Sequence, residues 1–329
     1  MRLASNVVAR SSRPVLGLLI AAFLAGCVGA GASVSPSPGA PAGSSSQAAP
    51  GGTNAVPTAS PALLPGELPS PDGIYPAEDC PATTVCHRVA TNRLSGIPLT
   101  TAVPCRADGT TCILVIDIYY PINPPKDGGT YPIAVYAKGG PDVPETSGFS
   151  SLVTLLAGQG VVVFDTSWRQ GPAWGAPTWA EGLQDVACAV RAARFLGPKV
   201  GGSARRITMI GHSLGGWAAA VTVLAPAQVQ PEPQCLFSAG AQSADAFAGL
   251  AGVYGDPADL IATGGVPNVP VLLICGDADT RLGESQGLAK ALTDAGRKTS
   301  VLTEPGVDHN GVLSTPATIR ALVDLLNKI

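Results

Sequence analysis

The residues best suited to chemistry sit in one short run, Gly211-His212-Ser213-Leu214-Gly215-Gly216. It follows a buried-looking apolar stretch, Ile207–Gly211, and opens an Ala-rich one, Leu214–Leu224. The pattern Gly-x-Ser-x-Gly between a strand and a helix suits a serine on a strained turn, with its hydroxyl exposed and a backbone N–H beside it. Small flanking residues let strand and helix approach without clash. A helix N-terminus there favours developing negative charge. An alcohol is a weak nucleophile at neutral pH and needs a base. The chain has three histidines. His212 neighbours the serine but points elsewhere on a tight elbow, which gives it a structural role. His87 lies among early cysteines, before the first clear strand. His309, in the polar loop Gly306-Val307-Asp308-His309-Asn310-Gly311 after the strand Thr299–Thr303, remains as the base. An imidazole in that role needs a carboxylate to hold its tautomer. Two stand at the end of the apolar strand Val271–Cys275, namely Asp277 and Asp279.

Elements able to carry these groups are legible along the chain. Apolar runs bounded by Gly, Pro or Asp predict strands at Ile113–Tyr120, Tyr131–Ala137, Val161–Asp165, Ile207–Gly211, Cys235–Ala239 and Val271–Cys275. Trp179, Leu183, Val186, Val190 and Ala193 recur at helical spacing. Further helices fit Leu214–Leu224, Ser285–Ala295 and Pro316–Asn327. Alternating strands and helices predict an α/β fold, a mainly parallel sheet covered on both faces. The first strands lack intervening helices, so that edge is expected to be antiparallel.

The chain resembles the α/β-hydrolase superfamily, and within it bacterial carboxylesterases and feruloyl-esterase-like enzymes. The resemblance runs from Thr111 to the C-terminus. It rests on the elbow, on Asp-Ile-Tyr-Tyr-Pro at 117–121, on Lys-Gly-Gly-Pro at 138–141 and on Asp185–Arg194. It implies an eight-stranded sheet and a serine hydrolase acting on carboxylic esters through an acyl-enzyme. Serine, acid and histidine follow in the order Ser213, Asp279, His309. The family pattern Gly-x-x-Asp assigns the acid to Asp279 and leaves Asp277 to support the turn. Tetrahedral oxyanion donors are expected from the N–H of Leu214 and from the turn at Lys138. Many relatives carry His-Gly-Gly-Gly there, whereas this chain has Lys138 and Pro141. Pro141 has no N–H, so Gly140 is the candidate. A peptidase or acyltransferase using the same triad, or a non-catalytic binding lipoprotein on this scaffold, are the alternatives. Trp168, Trp174 and Trp217 are candidate pocket residues, with packing of helix on sheet as their other reading. Arg169 is expected in a surface ion pair, with a substrate carboxylate as its other reading. Only about 30 residues separate Ala239 from Val269, so no large lid domain is expected.

Composition narrows the remaining classes. A formal net charge of −3 over 329 residues leaves no basic footprint for nucleic acid. The hydrophobic fraction of 46% against 13% charged is a globular composition. Arg2, Arg10 and Arg13 precede an apolar run, Val15–Ala25, too short to span a bilayer and suited to a secretory signal. Its end, Leu24-Ala25-Gly26-Cys27, resembles the lipobox of bacterial lipoproteins, which implies acylation of Cys27 and a lipid anchor in the cell envelope, with simple secretion or a single membrane anchor as the alternatives. Residues 1–26 are therefore read as signal and 27–71 as an Ala/Gly/Ser/Pro-rich tether. Residues 72–329 form the hydrolase domain. No Asp, Glu, Lys or Arg occurs between Pro14 and Gly66. Export makes disulfides plausible, with pairings Cys80–Cys86, Cys105–Cys112 and Cys188–Cys235. The crossed pairing Cys80–Cys105 with Cys86–Cys112 stays open. Cys275 is left as a buried small hydrophobe. Neither CxxC nor a histidine cluster occurs, so no metal or organic cofactor is implied. The partners expected are an ester substrate and the membrane. A monomer is the default expectation.

Overall fold

In a computed structural model of the chain, the described residues are 67–79, 85–106, 108–140, 151–171, 178–261 and 266–329. The signal, most of the tether, Cys27, Cys80, Pro141 and Trp174 lie outside them. Nine strands form one sheet in the order β1-β2-β3-β5-β4-β6-β7-β8-β9. They are β1 Gly73–Tyr75, β2 Thr91–Pro104, β3 Thr111–Pro121, β4 Tyr131–Ala137, β5 Val162–Thr166, β6 Gly202–His212, β7 Ala246–Leu250, β8 Val271–Gly276 and β9 Thr299–Glu304. β1, β2 and β3 pair antiparallel, as does β3 with β5, and every pair from β5 through β4 to β9 is parallel. The strands of the parallel half read as unbroken apolar runs because they are covered on both faces.

One face is covered by α2 Trp179–Leu196, α3 Leu214–Leu224, α4 Pro257–Ile261 and α5 Leu282–Asp294, and the other by α1 Ser151–Gly158 and α6 Pro316–Lys328. α2 starts where the Thr178 hydroxyl accepts the Glu181 N–H and the Glu181 carboxylate accepts the Thr178 N–H. α6 starts at Thr315, whose hydroxyl accepts the Thr318 N–H, with Pro316 in the first turn. This strand order, with an antiparallel edge and a strand–serine–helix turn after β6, is the α/β-hydrolase architecture. Between β7 and β8 the described residues hold only the five-residue α4, so no large lid is present among them.

Three expectations need correction, and one strand was not anticipated. The sheet has nine strands rather than eight, because three-residue β1 adds to the antiparallel edge. Residues Cys235–Ala239 are not a strand: Cys235 makes an isolated bridge to Thr100, and the strand in that part of the chain is β7, Ala-Phe-Ala-Gly-Leu. β2 was not evident in the pattern because Gly96 and Pro98 interrupt it, and the register with β3 shifts at both places. Arg169 is not at the surface: it is buried, with its guanidinium on Asp185 at 2.7 Å and on Glu232.

Cys105–Cys112 and Cys188–Cys235 are bonded as expected, and Cys86 is disulfide-bonded too. Cys188–Cys235 ties α2 to the segment bridging β2 across 47 residues. Closing a loop of that length constrains the unfolded chain. Replacing both cysteines by alanine should lower unfolding stability by about 3 kcal/mol. A urea titration of the variant against the parent protein measures this.

Candidate active site

Ser213 has φ 54° and ψ −122°, a region that side-chain-bearing residues rarely occupy. Holding it there costs on the order of 1–3 kcal/mol, so the surroundings must impose it. Three backbone hydrogen bonds do so. The Ser213 N–H donates to the Leu250 carbonyl at 3.0 Å, and the Ser213 carbonyl accepts the N–H groups of Gly216 at 2.9 Å and Val253 at 3.0 Å. The loop after β7 thus grips the serine from both sides. Its own turn is made by Ala251, at φ 46°. Ser213 is the N-cap position of α3, yet its side chain makes no capping bond.

Glycines let the elbow close. A Cβ on Gly215 would overlap the Ala137 carbonyl, and one on Gly211 would overlap the Gly215 carbonyl. A Cβ on Gly139 would overlap Ser213 Cβ and crowd the His212 carbonyl and Leu214 N. The turn after β4 is therefore packed directly against the serine and the first residue of α3. Gly140, next in that turn, has φ 82° with open space at its Cβ position.

The residues expected as acid and base, Asp279 and His309, follow the ends of β8 and β9. His309 Nδ1 lies 2.9 Å from Asp279 Oδ2. With Nδ1–H donating to the carboxylate, neutral His309 carries its lone pair on Nε2. The Asp279 side chain is buried, and its Oδ1 accepts the Arg281 N–H at 2.9 Å. Burial alone would raise the Asp279 carboxyl. The Arg281 N–H and the His309 and Cys275 side chains outweigh it and hold the group below its ordinary value. Asp277 supports the loop, as expected. Its Oδ1 accepts the Gly306 N–H at 2.6 Å, while the Ala278 N–H donates to the Val307 carbonyl at 3.2 Å. Asp308 Oδ1 accepts the Gly311 N–H at 2.7 Å and closes the turn around His309.

Two neighbours exceed what sequence reasoning assigned. His212 Nε2 is 3.0 Å from the His309 carbonyl, which fixes that nitrogen as the N–H donor, and the two rings lie 4.9 Å apart. The residue before the serine therefore holds the loop of the proposed base. Cys275 donates its S–H to Asp279 Oδ2 at 3.5 Å, and burial pushes the thiol up to about 12. Its place four residues before Asp279, at the end of a buried strand, was visible, but its contact was not. His87 lies apart, its ring beside Tyr75. Of the tryptophans, Trp168 is 2% exposed and its indole N–H donates to the Lys138 carbonyl at 3.0 Å. It is a buried support rather than an open pocket wall. Trp217 is half-buried and packs edge-on against Trp179, with ring centroids 5.4 Å apart.

No protein-family model and no curated protein matches this sequence. Solved structures are similar to it at low identity. Esterase B from Lactobacillus rhamnosis is 18% identical over 65% of this chain and 79% of its own, with a TM-score of 0.47. A truncated carbohydrate esterase from gut microbiota is 17% identical over 65% and 90%, with a TM-score of 0.48. A butyrate-bound esterase of Thermogutta terrifontis is 19% identical over 70% and 93%, with a TM-score of 0.47.

Two outcomes follow from this geometry. Gly139→Ala should lower kcat on a short aryl ester by about 100-fold, since a displaced nucleophile costs about that much. Steady-state kinetics on folded variant will show it, with circular dichroism confirming the fold. The second outcome concerns pH. Burial lowers His212 to about 4, only partly opposed by its bond to the His309 carbonyl. Unfolded, the group titrates near 6.5. The unfolded chain therefore binds the extra proton first, and stability falls as pH drops from about 6.5 to about 4. At about 1.4 kcal/mol per unit the loss is about 3 kcal/mol. Urea midpoints of the wild type and His212→Gln at pH 7 and pH 4 should differ by this slope, which the variant lacks.

Proposed function

We propose that this chain is a serine carboxylesterase working through an acyl-enzyme. What supports the reading is the buried Asp279 carboxylate bonded to His309 Nδ1, in a loop tied through His212 to the backbone beside the strained Ser213. Ser213 Oγ attacks the ester carbonyl carbon while His309 Nε2 accepts the hydroxyl proton. The carbonyl oxygen becomes an oxyanion that takes hydrogen bonds from the N–H groups of Leu214 and Gly140. As the C–O bond to the alcohol breaks, His309 returns its proton to the departing oxygen. Water then repeats the sequence on the acyl-serine, giving the carboxylic acid and free Ser213. Asp279 stays ionised throughout, which its donors favour, and stabilises the imidazolium. The lipobox-like Cys27 and the uncharged segment after it support a domain tethered outside a bacterial membrane by a lipid on that cysteine.

Ser213→Ala should reduce turnover of short-chain aryl esters by about 10,000-fold or more. A fluorophosphonate probe should label the wild type on the peptide containing Ser213 and leave the variant unlabelled. Turnover by the variant at the wild-type rate, or labelling mapped elsewhere, would contradict the assignment. A panel that adds amides and acceptor alcohols reads out the reaction class.

A further inference from the structure

The turn that carries Gly140 is held by a side chain that the reaction itself does not use. Trp168 donates its indole N–H to the Lys138 carbonyl inside the protein. The indole is closely packed: a Cβ on Gly182 of α2 would overlap the Arg169 carbonyl and crowd the Trp168 ring, and Arg169 is itself bonded to the Asp185 carboxylate through its N–H and its guanidinium.

We propose that Trp168 is a positioning residue that sets where the Gly140 N–H stands relative to Ser213, through the Lys138 carbonyl of the same turn. The proposal rests on the esterase reading above. Trp168 acts through Gly140, on the tetrahedral oxyanion rather than on the bound ester. Its loss should lower kcat and leave KM in place.

Trp168→Phe keeps the aromatic bulk and removes the N–H. Each protein is assayed on a short aryl ester, per serine titrated with fluorophosphonate, so that misfolded protein does not enter the rate. Trp168→Phe should lower kcat about tenfold, a fraction of what a whole oxyanion donor contributes, with KM within about twofold. Affinity for a trifluoromethyl ketone, which forms the oxyanion on Ser213, should fall in parallel. Amide hydrogen exchange in the peptide covering 131–140 should quicken. Unchanged kcat per titrated serine, or a change confined to KM, with exchange at the wild-type rate, would overturn the proposal. If the wild type neither turns over esters nor labels, the esterase reading fails, and the exchange measurement still decides whether Trp168 holds the turn.

Discussion

The backbone of one residue carries the arrangement. Ser213 holds a conformation that its side chain disfavours, and it does so because Leu250 and Val253 bond its N–H and carbonyl from a neighbouring strand end. That strain turns the chain sharply out of β6 and into α3. The turn sets Ser213 between strand and helix, with Leu214 as the first residue of α3. The conformation also dictates the composition around it. Gly211 and Gly215 permit the crossing of strand and helix, and Gly139 permits the β4 turn to lie against the serine. A side chain at any of the three would push the elbow off the geometry that the chemistry requires.

Asp279 and His309, the proposed acid and base, are fixed by a mesh between adjacent strand ends rather than by their own loops alone. The β8 turn gives Asp277 to the Gly306 N–H, the Ala278 N–H to Val307, and Asp279 to His309. Gly276 abuts the Val307 carbonyl so closely that a Cβ there has no space. His212 then closes the mesh by donating to the His309 carbonyl, joining the base loop to the residue before the serine. Burial keeps His212 neutral well below pH 7, with Nε2 carrying the proton that it donates. Position in this site is thus set by backbone and buried polar groups, which reorganise little when charge develops.

Much of this was legible in the sequence, for identifiable reasons. The elbow was readable because its steric demand leaves a trace, small residues at fixed offsets around Ser213. His309 was reachable because there are few histidines. The division between Asp277 and Asp279 followed a family pattern, and the hydrogen bonds give it a physical basis: one binds backbone, the other imidazole. Strand type was less readable. Residues Cys235–Ala239 look as apolar as β7, whose Ala and Gly carry weak strand preference, and only pairing with β6 and β8 distinguishes them. Long-range polar contacts were invisible. Arg169 meets Asp185 and Glu232, 16 and 63 positions away, and Trp168 meets Lys138, 30 positions away. A tryptophan near a site reads alike as pocket wall or buried post until its N–H is seen to have a partner.

The most direct test of the central claim is a crystal structure of the protein after reaction with a short-chain phosphonate. The account predicts phosphorus bonded to Ser213 Oγ and the phosphoryl oxygen within about 3 Å of the N–H groups of Leu214 and Gly140. It also predicts His309 Nε2 within hydrogen-bond reach of the Oγ or the remaining ester oxygen, with Nδ1 still on Asp279. An adduct on another residue, or an imidazole turned away from the phosphorylated serine with its bond to Asp279 broken, would contradict it.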